Sequence, residues 1–200
     1  MGISESERFG RFKSFPRLET ERLVLREITT EDAEWYLKHF STNEIVYGQG
    51  YPAPKGIKEA MEELQLYFID LFNSRNGFRW GIQLKGETGL IGSCGFYKWT
   101  RPDGRQAEMG YDLNPKYWRR GIMSEAMKAI INFGFEQMQL NRIEITIMPR
   151  NYASITLALK LGFKKEGILR EHGLDENRMV VDDVIFSMLR RDWLELRRKK

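Results

Sequence analysis

From Trp118 to Ala126 the chain runs out of a strand, through a short basic loop with one glycine, and straight into a strongly patterned helix. That junction limits what the rest can fold into, because a helix entered this way presents its first N–H groups, unpaired, to whatever lies above the strand. The aligned peptide dipoles add roughly half a positive charge at that end, so the junction is an anion site. Arg119 and Arg120 contribute two guanidinium groups, and Gly121 lets a ligand approach the backbone closely. Two nucleotide-binding alternatives are excluded here: no Gly-Lys-Ser/Thr closes the loop, and no G-x-G-x-x-G precedes the helix.

The flanking pattern sets the architecture. Leu23 to Arg26 reads as a strand, and Thr29-Thr30-Glu31-Asp32 supplies a hydroxyl cap and two acids for a helix carrying Ala33, Tyr36, Leu37 and Phe40. A linker with Gly48, Gly50, Pro52 and Pro54 leads to a second helix with Ala60, Leu64, Tyr67, Phe68 and Leu71 on one face. Phe78 to Leu84, Leu90 to Trp99 and Gln106 to Leu113 follow as strands, and the short turns between them, Lys85-Gly86-Glu87-Thr88 and Arg101-Pro102-Asp103-Gly104, imply antiparallel neighbours. After the loop come a deeply packed helix from Ile122 to about Met138, a strand from Arg142 to Met148, and a helix from Asn151 to Leu161 closed by Gly162. Phe163 to His172 and Met179 to Leu189 finish the pattern as strands. The order βααβββαβαββ predicts an α/β (α+β) fold: a mixed, mostly antiparallel sheet of about seven strands with helices on both faces.

Composition narrows the class. With 200 residues, 42% of them hydrophobic and 30% charged, the chain has enough apolar material for one full core without metals or disulfides. The absence of a long apolar run and of an apolar N-terminal centre predicts a cytoplasmic protein with no membrane partner. Cys94, the only cysteine, reads as a packed strand residue, and two histidines do not make a zinc cluster, so no metal is expected. The net charge of +4 owes much to the closing Arg197-Arg198-Lys199-Lys200, and without interleaved aromatic residues it does not mark a nucleic-acid platform. The reading divides the chain into an arm over residues 1–15 containing Phe9, Phe12 and Phe15, a domain over 16–193, and a basic tail over 194–200. Oligomeric state, a homodimer included, is left open.

In this order, six pieces carry a resemblance: Leu18-Glu19-Thr20-Glu21-Arg22-Leu23 with Leu25-Arg26, Ala107-Glu108-Met109-Gly110-Tyr111, the loop from Trp118, Asn151-Tyr152-Ala153-Ser154, Leu161-Gly162-Phe163, and the closing run from Asp183 to Trp193. Together they resemble the GNAT superfamily of N-acetyltransferases, and within it the bacterial ribosomal-protein alanine N-acetyltransferase (Rim type) group. The resemblance implies acetyl-CoA as co-substrate, its pyrophosphate held by backbone amides of the loop. In that family the loop reads Gln/Arg-x-x-Gly-x-Gly/Ala; here Trp118 and Met123 replace the first and last members, while Gly121 is kept. Cofactor contacts carried over residue by residue fall on Leu113, Arg119, Arg120, Gly121, Ile122, Met123, Ser124, Asn151 and Ser154. Ser124 either donates to phosphate or caps the first turn; Asn151 and Ser154 suit a helix cap as well as the cofactor.

Acetyl transfer to an amine needs the amine neutral, a place for the oxyanion and a proton for the thiolate. Glu108 is the candidate base, with a cross-strand salt bridge as its alternative role and Asp112 as the second carboxylate. Alternation places Glu108, Gly110 and Asp112 on one face, and Gly110 is expected to mark a bulge that splays its strand from the next. The tyrosine acid of many family members is replaced by Ala158, so the resemblance passes the thiolate donor to Ser154, with Tyr152 as a looser candidate. An α-amine is roughly 10% neutral at pH 7, against about 0.04% for a lysine, so a protein N-terminus needs little base. Small amines, polyamines and antibiotics stay open as acceptors, because the acceptor groove falls on the segment from about Tyr47 to Phe78. A non-catalytic acyl-CoA-binding role is the remaining alternative.

Overall fold

Apolar residues two apart along the central strands give the sheet a dry face, and the computed structural model, which describes residues 12–50, 52–99 and 105–198, shows what covers it. The strands are β1 (Leu18–Glu19), β2 (Leu23–Arg26), β3 (Phe78–Leu84), β4 (Gly92–Tyr97), β5 (Gln106–Leu113), β6 (Arg142–Ile147), β7 (Lys164–Leu174) and β8 (Val180–Leu189). They form one sheet in the order β1-β2-β3-β4-β5-β6-β8-β7. All neighbours are antiparallel except β5 and β6, the pair joined through a helical crossover. The eighth strand beyond the expected seven is the two-residue β1, too short for periodicity to reveal.

Helices α1 (Ala33–Phe40), α2 (Asn43–Gln49) and α3 (Ile57–Leu64) lead to a π-helical turn (Gln65–Ile69) and α4 (Asp70–Asn73). The expected linker therefore begins as α2, ended by Gly50 in the left-handed region. Tyr36, Phe40, Ala60, Leu64 and Phe68 bury a small second core with Ile28 and Leu90 on one side of the sheet. On the other side α5 (Ile122–Glu136) buries Ala126, Met127 and Ile130 completely against Trp80, Cys94, Phe96, Met109, Ile143 and Phe186. α6 (Tyr152–Leu161) ends at Gly162, φ 95°, the left-handed cap expected of it.

The basic tail is a helix for most of its length. α7 (Arg190–Arg198) follows β8 directly, and Trp193 stacks on Phe135 with centroids 5.2 Å apart while its indole N–H donates to Asn132 Oδ1 at 2.8 Å. Four arginines and two acids among its nine residues hide a periodicity carried by Trp193 and few other residues. Phe12 and Phe15 fold back onto the dry face against Phe78 and Trp80, and the Trp80 indole donates to the Pro16 carbonyl at 2.5 Å. The rest of the arm, residues 1–11, the turn at 101–104 and the last two residues of the tail lie outside the described residues.

Gly110 is not a bulge. The β4–β5 register runs without a break from Gly92↔Leu113 to Tyr97↔Glu108. A Cβ at Gly110 would come within 2.9 Å of the Tyr97 ring and 3.3 Å of the Arg79 guanidinium, so the glycine makes room for two side chains lying across it. The splay it was expected to produce is present for another reason. Among the described residues the β5–β6 pairing stops at Glu108↔Glu144, after three pairs, and beyond that point each strand keeps its outer partner alone.

Candidate active site

The fork between β5 and β6 opens immediately after Glu108. Its carboxylate is buried, with Oε1 accepting from Thr146 Oγ1 at 2.6 Å and from the Tyr97 hydroxyl at 3.0 Å, and Oε2 from Lys98 Nζ at 2.6 Å. Burial pushes its pKa up, but the hydrogen bonds from Lys98, Thr146 and Tyr97 and the charge of Lys98 outweigh it, leaving Glu108 below the usual glutamate value. Glu108 forms the salt bridge of the alternative reading, to Lys98, and stands where the strands part.

Asp112, two residues on along the same face, is committed elsewhere. Its Oδ1 accepts from His39 Nε2 at 2.6 Å and from the Ser93 amide at 3.0 Å, and its Oδ2 from Arg79 Nη2 at 2.6 Å and from the Ser93 hydroxyl. Four donors around a buried carboxylate leave no lone pair for an acceptor, so the second-choice base is a structural anchor.

The anion loop is built by backbone conformation. Asn114 Oδ1 accepts from the Lys116 amide at 3.0 Å and starts a single turn (Pro115–Tyr117), after which the Trp118 indole donates to the Leu113 carbonyl at 2.6 Å. Trp118 is 45% exposed, a wall of the loop rather than core. Arg119 (φ 59°) and Gly121 (φ 75°) are both left-handed and bracket Arg120, the kind of alternation that turns successive N–H groups inward. Gly121 is the N-cap of α5, no side chain caps it, and the first helical bond is Glu125 N–H to the Gly121 carbonyl at 3.0 Å. The amides of Ile122, Met123 and Ser124 thus precede the first helical bond, while the side chains of Ile122 and Met123 point into the core. Ser124 does not cap the turn. Arg119 and Arg120 are exposed and, among the described residues, form no ion pair with a carboxylate; Arg120 lies over the Tyr117 ring at 5.6 Å. A diphosphate fits these groups: uncapped amides on a 15-residue helix, two exposed guanidinium groups, and a glycine where a side chain would demand a strained φ.

Replacing Gly121 by valine puts a β-branched residue at φ 75°. The added Cβ finds room, its nearest neighbour being Arg22 Nη2 at 3.5 Å, so the cost is conformational, about 1–3 kcal/mol of local strain. Gly121→Val is expected to raise the Kd for CoA about tenfold or more as the loop relaxes out of its cradle geometry. Calorimetry on the folded variant checks it, and wild-type affinity would remove the loop from the binding site.

Across the fork, Asn151 caps α6, its Oδ1 accepting from the Ser154 amide at 3.1 Å. Its amide group lies 3.5 Å from the Gly48 carbonyl and so joins α6 to α2. Ser154 is half-buried in the first turn of α6; Tyr152 is 75% exposed. The Tyr111 hydroxyl, which closes the Ala107–Tyr111 motif and has no role assigned from sequence, donates to the Ser154 carbonyl at 3.4 Å from the opposite strand of the fork. Burial pushes the Tyr111 phenol far above its usual range, so it stays protonated and able to donate.

A second omission is Arg22, quoted in the sequence motif without a role. Its Nε donates to Glu125 Oε2 at 2.7 Å and its Nη1 to the Arg120 carbonyl at 3.0 Å. Arg150 likewise pairs with Glu176 and lies 4.1 Å above the Tyr47 ring, tying the loop before α6 to α2 and to the β7–β8 turn. No local pattern announces either contact, since the partners are far apart in sequence.

Among the described residues no helix is long and apolar enough to cross a membrane. Comparison with known proteins agrees with this geometry. The model of the acetyltransferase (GNAT) domain matches residues 22–164. The chain is 37% identical over 176 residues to the uncharacterized N-acetyltransferase YoaA of Bacillus subtilis (strain 168), covering 88% of this chain and 98% of that one. It is 28% identical over 185 residues to the [ribosomal protein uS5]-alanine N-acetyltransferase of Escherichia coli (strain K12), covering 88% and 92%. The fold matches the crystal structure of the ribosomal-protein-S5-alanine acetyltransferase from Vibrio fischeri with a TM-score of 0.77 at 24% identity, over 89% of this chain and 98% of that one. The chain belongs to the acetyltransferase (GNAT) domain family and is an acetyl-CoA-dependent N-acetyltransferase.

Proposed function

We propose that this enzyme acetylates the N-terminal α-amine of a protein, a ribosomal protein being the favoured class, with Glu108 as base and Ser154 as donor to the departing sulfur. The observation that carries the reading is the Glu108 carboxylate at the opening of the β5–β6 fork. When bound, acetyl-CoA would supply the thioester; Arg119, Arg120, Gly121, Ile122, Met123 and Ser124 would hold its diphosphate, and Leu113, Asn151 and Ser154 would contact the rest of the molecule. Glu108, ionised at neutral pH, takes the proton of the incoming ammonium directly or through one water. Attack of the neutral amine forms the C–N bond and collapse breaks the C–S bond; the second proton leaves the nitrogen as the Ser154 hydroxyl gives its own to the departing sulfur, with the Tyr111 hydroxyl holding the Ser154 carbonyl.

A carboxylate held below its normal pKa is a weak base, and this favours an α-amine over a lysine. At pH 7 roughly 10% of an α-amine is already neutral, so little driving force is asked of Glu108. The uS5-alanine enzyme among the relatives supports the same acceptor class. Thiol release measured with a panel of alanine- and serine-starting peptides, spermidine and an aminoglycoside is the test. Turnover on the peptides is expected; turnover confined to the small amines would overturn the protein-acceptor reading, and tight CoA binding without turnover on any acceptor would overturn the Glu108 mechanism with it.

A further inference from the structure

We propose that Arg22 is a positioning residue for acetyl-CoA: from just ahead of β2 it fixes the diphosphate loop and cancels the charge of Glu125, the carboxylate in the first turn of α5. The inference rests on the assignment of that loop as the diphosphate cradle, which the Gly121→Val measurement tests separately.

Glu125 lies in the first turn of α5, next to the amides of Ile122, Met123 and Ser124. There it stabilises the free helix through the dipole, but it also places a negative charge in the same helix turn as the amides that would hold the diphosphate. Arg22 and Thr20 hold that carboxylate from three directions. The Arg22 amide donates to Oε1 at 2.9 Å, its Nε to Oε2 at 2.7 Å, and the Thr20 hydroxyl to Oε1 at 2.5 Å. Thr20 is fixed in turn by accepting from the Leu23 amide at 3.0 Å, and the Arg22 carbonyl accepts from the Lys85 amide at 2.9 Å, so the clamp is anchored in the sheet.

The same guanidinium reaches the loop. Nη1 donates to the Arg120 carbonyl at 3.0 Å. Because a trans peptide holds its C=O and N–H antiparallel, fixing the Arg120 carbonyl fixes the direction of the Gly121 N–H as well. Nη2 lies on the side of Gly121 where a Cβ would be, 3.5 Å from that position. One side chain thereby sets the orientation of a loop amide, joins the loop to the first turn of α5, and neutralises the carboxylate between them. Preorganisation of this kind acts on diphosphate binding and not on the acyl end, which lies at the fork beyond Leu113.

Titration calorimetry with CoA, and kinetics with acetyl-CoA and with acetyl-pantetheine, which lacks the diphosphate, separate this role from a general structural one. Arg22→Ala is expected to raise the Kd for CoA about tenfold, to leave kcat at saturating acetyl-CoA within about twofold, and to leave kcat/KM for acetyl-pantetheine unchanged. Arg22→Lys, which keeps the charge but cannot bridge Glu125 and Arg120 at once, should fall between. Adding Glu125→Gln to Arg22→Ala should recover part of the lost affinity by removing the uncompensated charge. Wild-type Kd for CoA in folded Arg22→Ala, or an equal loss with acetyl-pantetheine, would overturn the proposal; so would a double variant no better than the single one.

Discussion

Glu108→Gln is expected to lower kcat/KM about a hundredfold while the Kd for CoA stays at its wild-type value. The magnitude is the lower end of what a positioned general base contributes, about 10²–10⁴ in rate. Binding is spared because the proposed cradle is at the start of α5, whereas Glu108 lies at the other end of β5. The fold is spared as well: glutamine keeps the volume and an acceptor for Thr146 or Tyr97, and the Lys98 ammonium it abandons is largely exposed, a pair worth about 1 kcal/mol or less. The pH dependence sharpens the test. Glu108 is held below the usual 4.5, so it is fully ionised throughout pH 6 to 9 and its own titration lies on the acid side of that window. The rise of kcat/KM with pH therefore belongs to the acceptor amine and should level off near its pKa, about 8 for an α-amine. In Glu108→Gln the curve should keep that position and drop in height. Unchanged turnover across pH 6 to 9 would reduce Glu108 to the structural partner of Lys98.

The parts of this site that were legible in the sequence are those encoded by short-range pattern. Alternation along Gln106 to Leu113 put Glu108 and Asp112 on one face, and the run from Arg119 to Ser124 announced a helix start suited to an anion, as did Asn151 to Ser154. What stayed hidden is pairing at a distance. In sequence Asp112 reads as a second candidate carboxylate, but His39, 73 positions away, and Arg79 occupy it. Arg22 and Glu125 are 103 positions apart, and nothing in Thr20-Glu21-Arg22 tells which carboxylate it will meet. Gly110 misled for a related reason: a mid-strand glycine marks close approach as readily as a bulge, and here the approaching groups, Tyr97 and Arg79, come from two other strands. The fork itself arises where the β5–β6 ladder ends, a property of two strands together that neither sequence carries alone.

The second large effect concerns stability. Asp112→Ala is expected to destabilise the fold by about 3–5 kcal/mol, because it strips the partner from a partly buried guanidinium and a buried imidazole. The His39 side chain is 1% exposed and stacks on Trp35 at 5.0 Å, and its Nδ1 already has no partner among the described residues, so losing Asp112 leaves the whole ring unsatisfied. Arg79, bonded also to Ser93 at 2.9 Å, would keep one neutral acceptor and no counter-charge. In a chain of this length each kcal/mol shifts Tm by about 2–4 °C, so a fall of about 10 °C is expected. Linkage gives the prediction a signature. Burial alone would raise the Asp112 pKa, but the charge and hydrogen bond of His39, the charge of Arg79 and the Ser93 hydroxyl bring it from 3.8 down to about 2. A carboxylate whose folded pKa is depressed contributes stability above its unfolded pKa and loses it as pH falls through the folded one. The difference between wild type and Asp112→Ala should therefore be full at pH 7 and shrink as pH falls from about 4 towards 2. Urea unfolding at pH 7, 4 and 3 measures it. A difference below 1 kcal/mol at pH 7, or one that does not narrow on acidification, would show that the His39–Asp112–Arg79 cluster does not hold α1 to the sheet in the way its geometry implies.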